Sequence, residues 1–203
     1  MKTLCLIFLT TVIFLTSVLA SRKLKVFILA GQSNTVGHAR GHTIATLYKN
    51  GIANDKDLAR MVFTKDMSKL FEEQLNKARE LDELSGGIGL PKIKNMPEGS
   101  EKKAFETKVN ELVSEHEDYQ KEMITACAVS GRVYISSIAD RNLKSGKLRV
   151  GYGADNVKIG PEYGFGLSMS QRVKGPIFVI KTSWGGKSLM YDFRPPSATD
   201  FKS

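Results

Sequence analysis

The sequence predicts an α/β fold in which a helical insertion interrupts a parallel sheet. Residues 26–30 and 177–180 are short, continuous apolar runs, which are typical of strands buried on both faces. Between them, apolar residues recur at helical spacing through a highly charged stretch. Strand and helix patterns alternate again after that stretch, as in parallel α/β proteins. The length of 203 residues is enough for one domain with its own hydrophobic core.

Residues 1–20 are predicted to be a secretory signal peptide. Lys2 precedes an almost wholly apolar run over residues 4–18, and small side chains at Val18 and Ala20 precede Ser21. The run is shorter than the ~20 residues that a membrane-spanning helix needs. We therefore expect cleavage after Ala20, a secreted or periplasmic protein, and no membrane attachment after cleavage.

The first strand is predicted over residues 26–30 and stops at Gly31. Residues 66–125 are predicted to form a helical hairpin whose two helices each carry one apolar stripe. The stripe of the first helix consists of Met67, Phe71, Leu75, Ala78 and Leu81. The stripe of the second consists of Phe105, Val109, Leu112, His116, Tyr119 and Met123. The glycines and prolines between residues 86 and 99 separate the two helices.

The α/β pattern resumes after the hairpin. Residues 133–138 read as a strand, residues 161–173 as a helix with Pro161 in its first turn, and residues 177–180 as a second apolar strand. The predicted organisation is therefore an α/β domain over residues 21–65 and 126–203, with residues 66–125 inserted into it.

Charge follows the same boundaries. The formal net charge is +9, but residues 66–125 carry a net −5 and the rest of the chain after the signal peptide carries a net +13. The basic residues are scattered and match no nucleic-acid-binding motif, so nucleic acid is not the expected partner. Cys127 is the single cysteine after the signal peptide, which excludes an intramolecular disulfide in the mature chain. Neither metal-ligand spacing nor a glycine-rich phosphate loop is present, so no metal or cofactor is expected.

The residues after the first strand are the main candidates for chemistry. Reactive groups of parallel sheets gather beyond the carboxyl ends of the strands. There, Gly31 permits a tight turn, and Ser33 is expected at the start of the next helix, where free backbone N–H groups can stabilise an oxyanion. A helix cap is the alternative interpretation of Ser33. Thr35 replaces the second glycine of the α/β-hydrolase nucleophile elbow, so that motif is absent.

Two blocks of this sequence resemble the SGNH hydrolases of the sialate O-acetylesterase-like branch. The first runs from Val26 through Gly31-Gln32-Ser33-Asn34 to Gly37. The second begins with Ile159-Gly160-Pro161-Glu162 and continues through Lys181-Thr182-Ser183-Trp184-Gly185-Gly186 to Arg194-Pro195-Pro196. The resemblance covers about 60 residues and does not include the hairpin. It implies a three-layer, flavodoxin-like sheet and a cofactor-independent carbohydrate O-acetylesterase.

The resemblance also implies roles for individual residues. Ser33 would be the nucleophile, and the N–H groups of Ser33 and Gly186 would form the oxyanion hole. An acetylated carbohydrate would be the substrate. The residues that would line its site are Gln32, Asn34, Trp184, Gly185 and Arg194.

The sequence departs from the family pattern at the catalytic base. The family's Asp-x-x-His motif, which supplies the catalytic base and its orienting carboxylate, does not occur here. His38 and His42 read as loop or helix-surface residues, and His116 lies on the stripe of the second helix. We therefore expect a truncated, N-terminal part of such an esterase, with little activity alone. The alternative is an exported, non-catalytic module that binds carbohydrate or protein.

Overall fold

The computed structural model describes residues 23–49, 55–87, 90–140, 142–188 and 190–198, without the side chains of Asp55 and Lys56. The predicted signal peptide lies outside the described residues. None of the described helices is long and apolar enough to cross a membrane.

The described residues form strands, α-helices and one 3₁₀ helix in a mixed order. In chain order they are β1 (Lys25–Gly31), α1 (Ser33–Val36), β2 (Ala39–Arg40), the 3₁₀ helix (Gly41–Tyr48), α2 (Asp55–Val62), α3 (Ser68–Ser85), α4 (Pro91–Lys94), α5 (Ser100–Ala126), β3 (Val133–Ala139), β4 (Asn142–Lys147), β5 (Lys158–Ile159), α6 (Pro161–Arg172) and β6 (Ile177–Ser183).

The sheet is mostly parallel, as an α/β fold requires. Its strand order is β1-β6-β3-β4, where β1, β6 and β3 run parallel and β4 pairs antiparallel with β3. Strand β4 was not predicted, because its sequence lacks a clear apolar alternation. It pairs with β3 up to Ala139 and Asn142, and Asp140, which follows β3, has the positive φ of 54° that tight hairpin turns favour. Strands β2 and β5 make a separate short pair.

The prediction that the apolar strands are buried on both faces is wrong for β1. Phe27 and Leu29 pack against the core, whereas Val26 and Ile28 are each more than half exposed. The central strand β6 is fully buried on one face and partly buried on the other. The reason is that α6 and the buried core lie against one face of the sheet, and no described helix covers the other. The described part of the fold thus has two layers.

Helices α3 and α5 pack antiparallel, joined through the short helix α4. Their direction is shown by two ion pairs, Lys77 with Glu115 at 2.7 Å and Lys108 with Glu80 at 3.6 Å. On α5 four of the five buried side chains fall on the predicted stripe, and the fifth, Ala126, lies three residues beyond its last member. On α3, Gln74 is buried whereas Ala78 is exposed, so that part of the predicted stripe is wrong.

One hydrophobic core links the helices to the sheet. Met67 and Met123, at the base of the α3–α5 pair, belong to the same buried cluster as Val133 and Ile177 in the sheet. The helical pair is therefore tied to the sheet through continuous packing. Its definition as an insertion with boundaries at residues 66 and 125 stays a prediction.

The loop after α1 crosses two other backbone segments at close range. Gly37 has a φ of 89°, and a Cβ placed on it would overlap the backbone of Gly160. Ala154 N–H also donates a hydrogen bond to Gly37 O at 2.9 Å. A side chain at residue 37 is therefore excluded both by conformation and by space.

We expect Gly37→Ala to destabilise the protein by about 3 kcal/mol or more, since it combines a strained φ with a backbone overlap. The matched control is Gly164→Ala on α6, where a Cβ meets nothing within 4 Å. That change should stabilise the helix by roughly 0.5–1 kcal/mol. Urea denaturation of the two variants and the wild type measures both effects, and equal stability of the two variants would contradict this account.

Candidate functional site

The candidate site lies where β1 and β6 end side by side. The register pairs Gly31 with Ser183, and Trp184 N–H donates to Gly31 O at 3.2 Å just beyond the last pair. Because the two strands are parallel and adjacent, the residues that follow each of them lie at the same edge of the sheet. The segment that begins with Gly31 and the segment that begins with Trp184 are thus neighbours in space.

Ser33 begins α1, which is a single helical turn. Gln32 precedes it in extended conformation. Gly31 is required for space rather than for a positive φ, because a Cβ on it would overlap Thr35 Oγ1. Thr35 therefore occupies the volume beside Gly31, and the turn after β1 is closed by this contact.

The Ser33 hydroxyl has no base beside it in the described structure. Its Oγ donates to Gln32 Oε1 at 3.1 Å, and within the described residues it forms no hydrogen bond to a histidine or a carboxylate. The backbone N–H groups of Ser33 and Asn34 also make no hydrogen bond to described residues. Ser33 is partly buried, whereas Gln32 and Asn34 are exposed. Among the described residues, the site therefore offers two free backbone N–H donors but no base that could take the proton of the Ser33 hydroxyl.

Asp140 holds the glycine turn that follows β6. Its Oδ1 accepts a hydrogen bond from Gly185 N–H at 2.7 Å, and its own N–H donates to Ser183 O at 2.8 Å. Gly186 has a φ of 66° with open space around it, and its N–H makes no hydrogen bond to described residues. Asp140 was missed by sequence reasoning, although its place directly after a strand is the same signal that singled out Ser33.

Trp184 directly precedes this turn, and both Trp184 and Arg194 are partly buried. The Trp184 ring meets Phe193 edge-on, with ring centroids 6.1 Å apart. Between Trp184 and Arg194, the Asp192 carboxylate accepts hydrogen bonds from Ser188 N–H at 2.8 Å and from Lys187 Nζ at 2.9 Å. These contacts hold the pKa of Asp192 below its ordinary value.

A buried ion pair lies under the site. Lys181 and Glu162 have no exposed side-chain surface, and their Nζ and Oε2 atoms are 2.7 Å apart. Lys181 Nζ also donates to Val36 O at 2.8 Å and to Tyr152 O at 2.7 Å. Burial lowers the pKa of Lys181, and the contact with Glu162 opposes that shift. All three protons of the ammonium group are used, so Val36, the last residue of α1, is tied to β6.

Two of the three histidines contact each other instead of Ser33. His42 and His116 have ring centroids 5.6 Å apart, and both lie against Tyr119. Burial lowers the pKa of His42 to about 4, with smaller contributions from His116 and Arg40. Burial also lowers the pKa of His116. His38 is exposed beyond the end of α1, and it forms no hydrogen bond with Ser33 in the described residues.

The remaining His, Cys, Asp and Glu side chains of the described part of the chain form no metal site. The described residues contain no group of three or more His, Cys, Asp or Glu side chains that could hold a metal ion. Burial raises the pKa of Cys127 to about 11, so its thiol is protonated at neutral pH.

Comparison with protein-family models, with curated proteins and with solved structures finds no match. The functional interpretation therefore depends on the residues and on their geometry.

Breaking the buried ion pair should cost about 3–5 kcal/mol of folding free energy. Lys181→Met keeps the apolar stem but leaves the oxygens of Val36, Tyr152 and Glu162 without their donor. The control is Lys158→Met, which removes the partly exposed pair with Asp155 and should cost no more than about 1 kcal/mol. Adding Glu162→Gln to Lys181→Met should cost less than the two single changes together. Equal urea midpoints for both lysine variants would rule out the structural role.

Stability should fall between pH 6.5 and pH 4. The folded pKa of His42 is about 4 against an ordinary 6.5, so the unfolded chain binds more protons in that window. The stability present above pH 6.5 is therefore lost as the pH falls. His42→Phe should flatten this dependence between about pH 7 and pH 5. Urea unfolding across that range measures the slope, with exposed His38→Gln as the control that keeps it. An unchanged slope in His42→Phe would contradict the assignment.

Proposed function

We propose that this protein is an exported, serine-dependent carbohydrate O-acetylesterase of the SGNH type, with Ser33 as nucleophile and little activity by itself. The observation that supports it best is the adjacency of β1 and β6, which puts Ser33 and the Gly185–Gly186 turn at one edge of the sheet. The resemblance of both segments to the SGNH family supplies the reaction class. The mostly parallel four-stranded sheet is compatible with the α/β fold that the resemblance implies.

In the proposed reaction, Ser33 Oγ attacks the carbonyl carbon of an acetyl ester on a sugar. The hydroxyl proton leaves to a base, and the carbonyl oxygen becomes an oxyanion that the N–H groups of Ser33 and Gly186 stabilise. Collapse of the intermediate breaks the ester bond and releases the sugar hydroxyl, which takes up a proton. Water then hydrolyses acetyl-Ser33 to acetate and free enzyme.

Two contacts would keep the reacting groups in place. The hydrogen bond from Lys181 to Val36 O fixes the end of α1, and the bond from Gly185 N–H to Asp140 fixes the turn that carries Gly186. These residues act through the backbone of the site, so we assign them positioning roles. The residues that would contact the sugar are Gln32, Asn34, Trp184, Gly185 and Arg194.

Low activity is proposed because Ser33 has no base beside it among the described residues. An amide oxygen such as Gln32 Oε1 is too weak a base to take the hydroxyl proton at neutral pH. An enzyme that loses a triad member keeps a residual rate of about 10³–10⁴ over water, from binding and the oxyanion hole. The net charge of +13 outside the hairpin and the signal peptide would attract anionic glycans to this site.

The absence of a base beside Ser33 within the described residues also favours the second candidate function. This is an exported carbohydrate- or protein-binding module without catalysis. A serine hydroxyl whose hydrogen bond within the described residues goes to a neighbouring glutamine is also what a non-catalytic loop would show. The two functions differ in one measurable property, which is whether Ser33 forms an acyl intermediate.

The test is the hydrolysis of p-nitrophenyl acetate by the purified chain. We expect slow turnover above the buffer rate that Ser33→Ala abolishes and that Ser114→Ala, an exposed serine on α5, leaves unchanged. Added imidazole should accelerate the Ser33-dependent rate, because it supplies the missing base.

Each other outcome decides between the candidates. Equal rates for the wild type and Ser33→Ala, with and without imidazole, would contradict the esterase and favour the binding module. Fast turnover that both Ser33→Ala and His38→Ala abolish would contradict the proposed lack of a base.

A further inference from the structure

Basic residues that are scattered in the sequence come together where the parallel strands of the sheet begin. Four segments meet there, because β1, β6 and β3 start at this edge and β4 ends at it. The segments are residues 23–26, 171–178, 130–134 and 145–149, and they contain no acidic residue. We call their seven basic residues the basic edge: Lys23, Lys25, Arg132, Lys147, Arg149, Arg172 and Lys174.

Backbone hydrogen bonds hold the four segments side by side. Lys25 N–H donates to Pro176 O at 3.0 Å. Ile177 N–H donates to Arg132 O, also at 3.0 Å, and Leu148 N–H continues the pairing of β4 with β3. Neighbouring strands lie about 4.8 Å apart, so the four segments span roughly 15 Å. The backbone positions of the basic residues are therefore fixed relative to each other.

The side chains of the basic edge are available to a partner. Six of the seven are exposed, and Arg132 is partly buried. None of the seven forms an ion pair with a described residue. On α3 and α5, by contrast, lysines pair with glutamates across the two helices, as Lys77 does with Glu115 at 2.7 Å. Unpaired like charges repel each other and oppose folding, so an anion from outside the chain would compensate them.

Arg132 is held in position before any anion binds. Its Nη2 donates to Val173 O at 3.0 Å, which links the start of β3 to the residue after α6. The guanidinium group has five N–H donors, and its other donors make no hydrogen bond to described residues. A side chain that is already ordered loses less entropy when a ligand binds. Arg132 can therefore contact an anionic group at low entropic cost.

The composition of the basic edge favours an acidic polysaccharide over other polyanions. Tyr134 is the single exposed aromatic residue in the four segments, whereas single-stranded nucleic acid is bound by stacking successive bases on several aromatic rings. The charges lie on four separate segments, whereas membrane-surface binding typically places them along one amphipathic helix. The predicted export would bring the chain into contact with extracellular polysaccharides, which carry sulfate or carboxylate groups.

We propose that the basic edge binds an acidic polysaccharide through contacts of its lysine and arginine side chains with sulfate or carboxylate groups. The polymer would lie across the ends of β1, β6, β3 and β4. Ser33 follows the other end of β1, and the seven residues of that strand put it about 20 Å from Lys25. The proposed surface is therefore separate from the Ser33 edge. It uses the predicted export but not the esterase chemistry.

The test compares dextran sulfate with uncharged dextran, which share a backbone and differ in charge. Biolayer interferometry on the immobilised polymers measures binding of the purified chain between about 50 and 200 mM salt. We expect the chain to bind dextran sulfate with an affinity that falls steeply as the salt rises, and not to bind dextran. Lys25→Gln, Lys147→Gln and Lys174→Gln together should weaken binding at least about tenfold and make the salt dependence shallower.

The matched control removes the same charge at other places. It combines Lys94→Gln in α4, Lys103→Gln at the start of α5 and Lys187→Gln beyond the carboxyl end of β6, all of them exposed. Because charges farther apart than about 10 Å are largely screened at 0.1 M salt, this variant should change the affinity less than about twofold. Ser33→Ala should bind as the wild type does. Circular dichroism checks that each variant is folded.

Four outcomes would overturn the proposal. Equal losses in both triple variants would mean that net charge alone decides binding. Loss of binding in Ser33→Ala would place the polymer at the Ser33 edge, and a wild type that does not bind dextran sulfate at about 50 mM salt would leave the basic edge without this ligand. Tighter binding to single-stranded DNA or to phosphatidylserine vesicles, weakened by the basic-edge variant, would assign the surface to nucleic acid or to a membrane instead.

Discussion

The Lys181 ammonium group constrains the arrangement of the whole site. A buried cation without partners would be expensive, and this one is compensated by three acceptors from three separate segments: Val36 O, Tyr152 O and the Glu162 carboxylate. The end of α1, the segment before β5 and the first turn of α6 must therefore all meet at β6. A buried ion pair of this kind is weak evidence for stability and stronger evidence that one arrangement is specified. The position of Ser33 relative to β6 follows from it.

The close backbone crossings around Gly37 are the steric condition for this ion pair. Cβ atoms at Gly37 and Gly153 would each meet backbone atoms of the strand β5 region, and one at Gly160 would meet Thr35 O at 2.8 Å. Without side chains at these three positions, the carbonyl groups of Val36 and Tyr152 come close enough to reach one ammonium group. The three glycines and the ion pair therefore depend on each other. The glycines permit the close approach of the backbone segments, and Lys181 donates hydrogen bonds to the carbonyl groups that this approach buries.

The periodicity of apolar residues predicted where strands and helices lie better than it predicted which elements pack against each other. The predicted strand at 133–138 and the helix at 161–173 are each within one residue of β3 and α6, because their apolar patterns are governed by local geometry. The uncovered face of β1 could not be predicted, since an apolar run does not tell which faces other elements will cover. Asp140 and Lys181 acquire their roles through contacts with residues far away in sequence. Gln74 is buried in place of Ala78 because contacts with the rest of the molecule decide which side of α3 faces inward.

The one-sided packing of the sheet has a consequence for the candidate site. Val26 and Ile28 are exposed on one face of β1, whereas Ser33 follows the carboxyl end of the same strand. The exposed face and the Ser33 edge are therefore different surfaces of one sheet. Packing against that face would leave the Ser33 edge accessible, because the side chains of a strand point out of the plane of the sheet and the residues that follow the strand extend beyond its end.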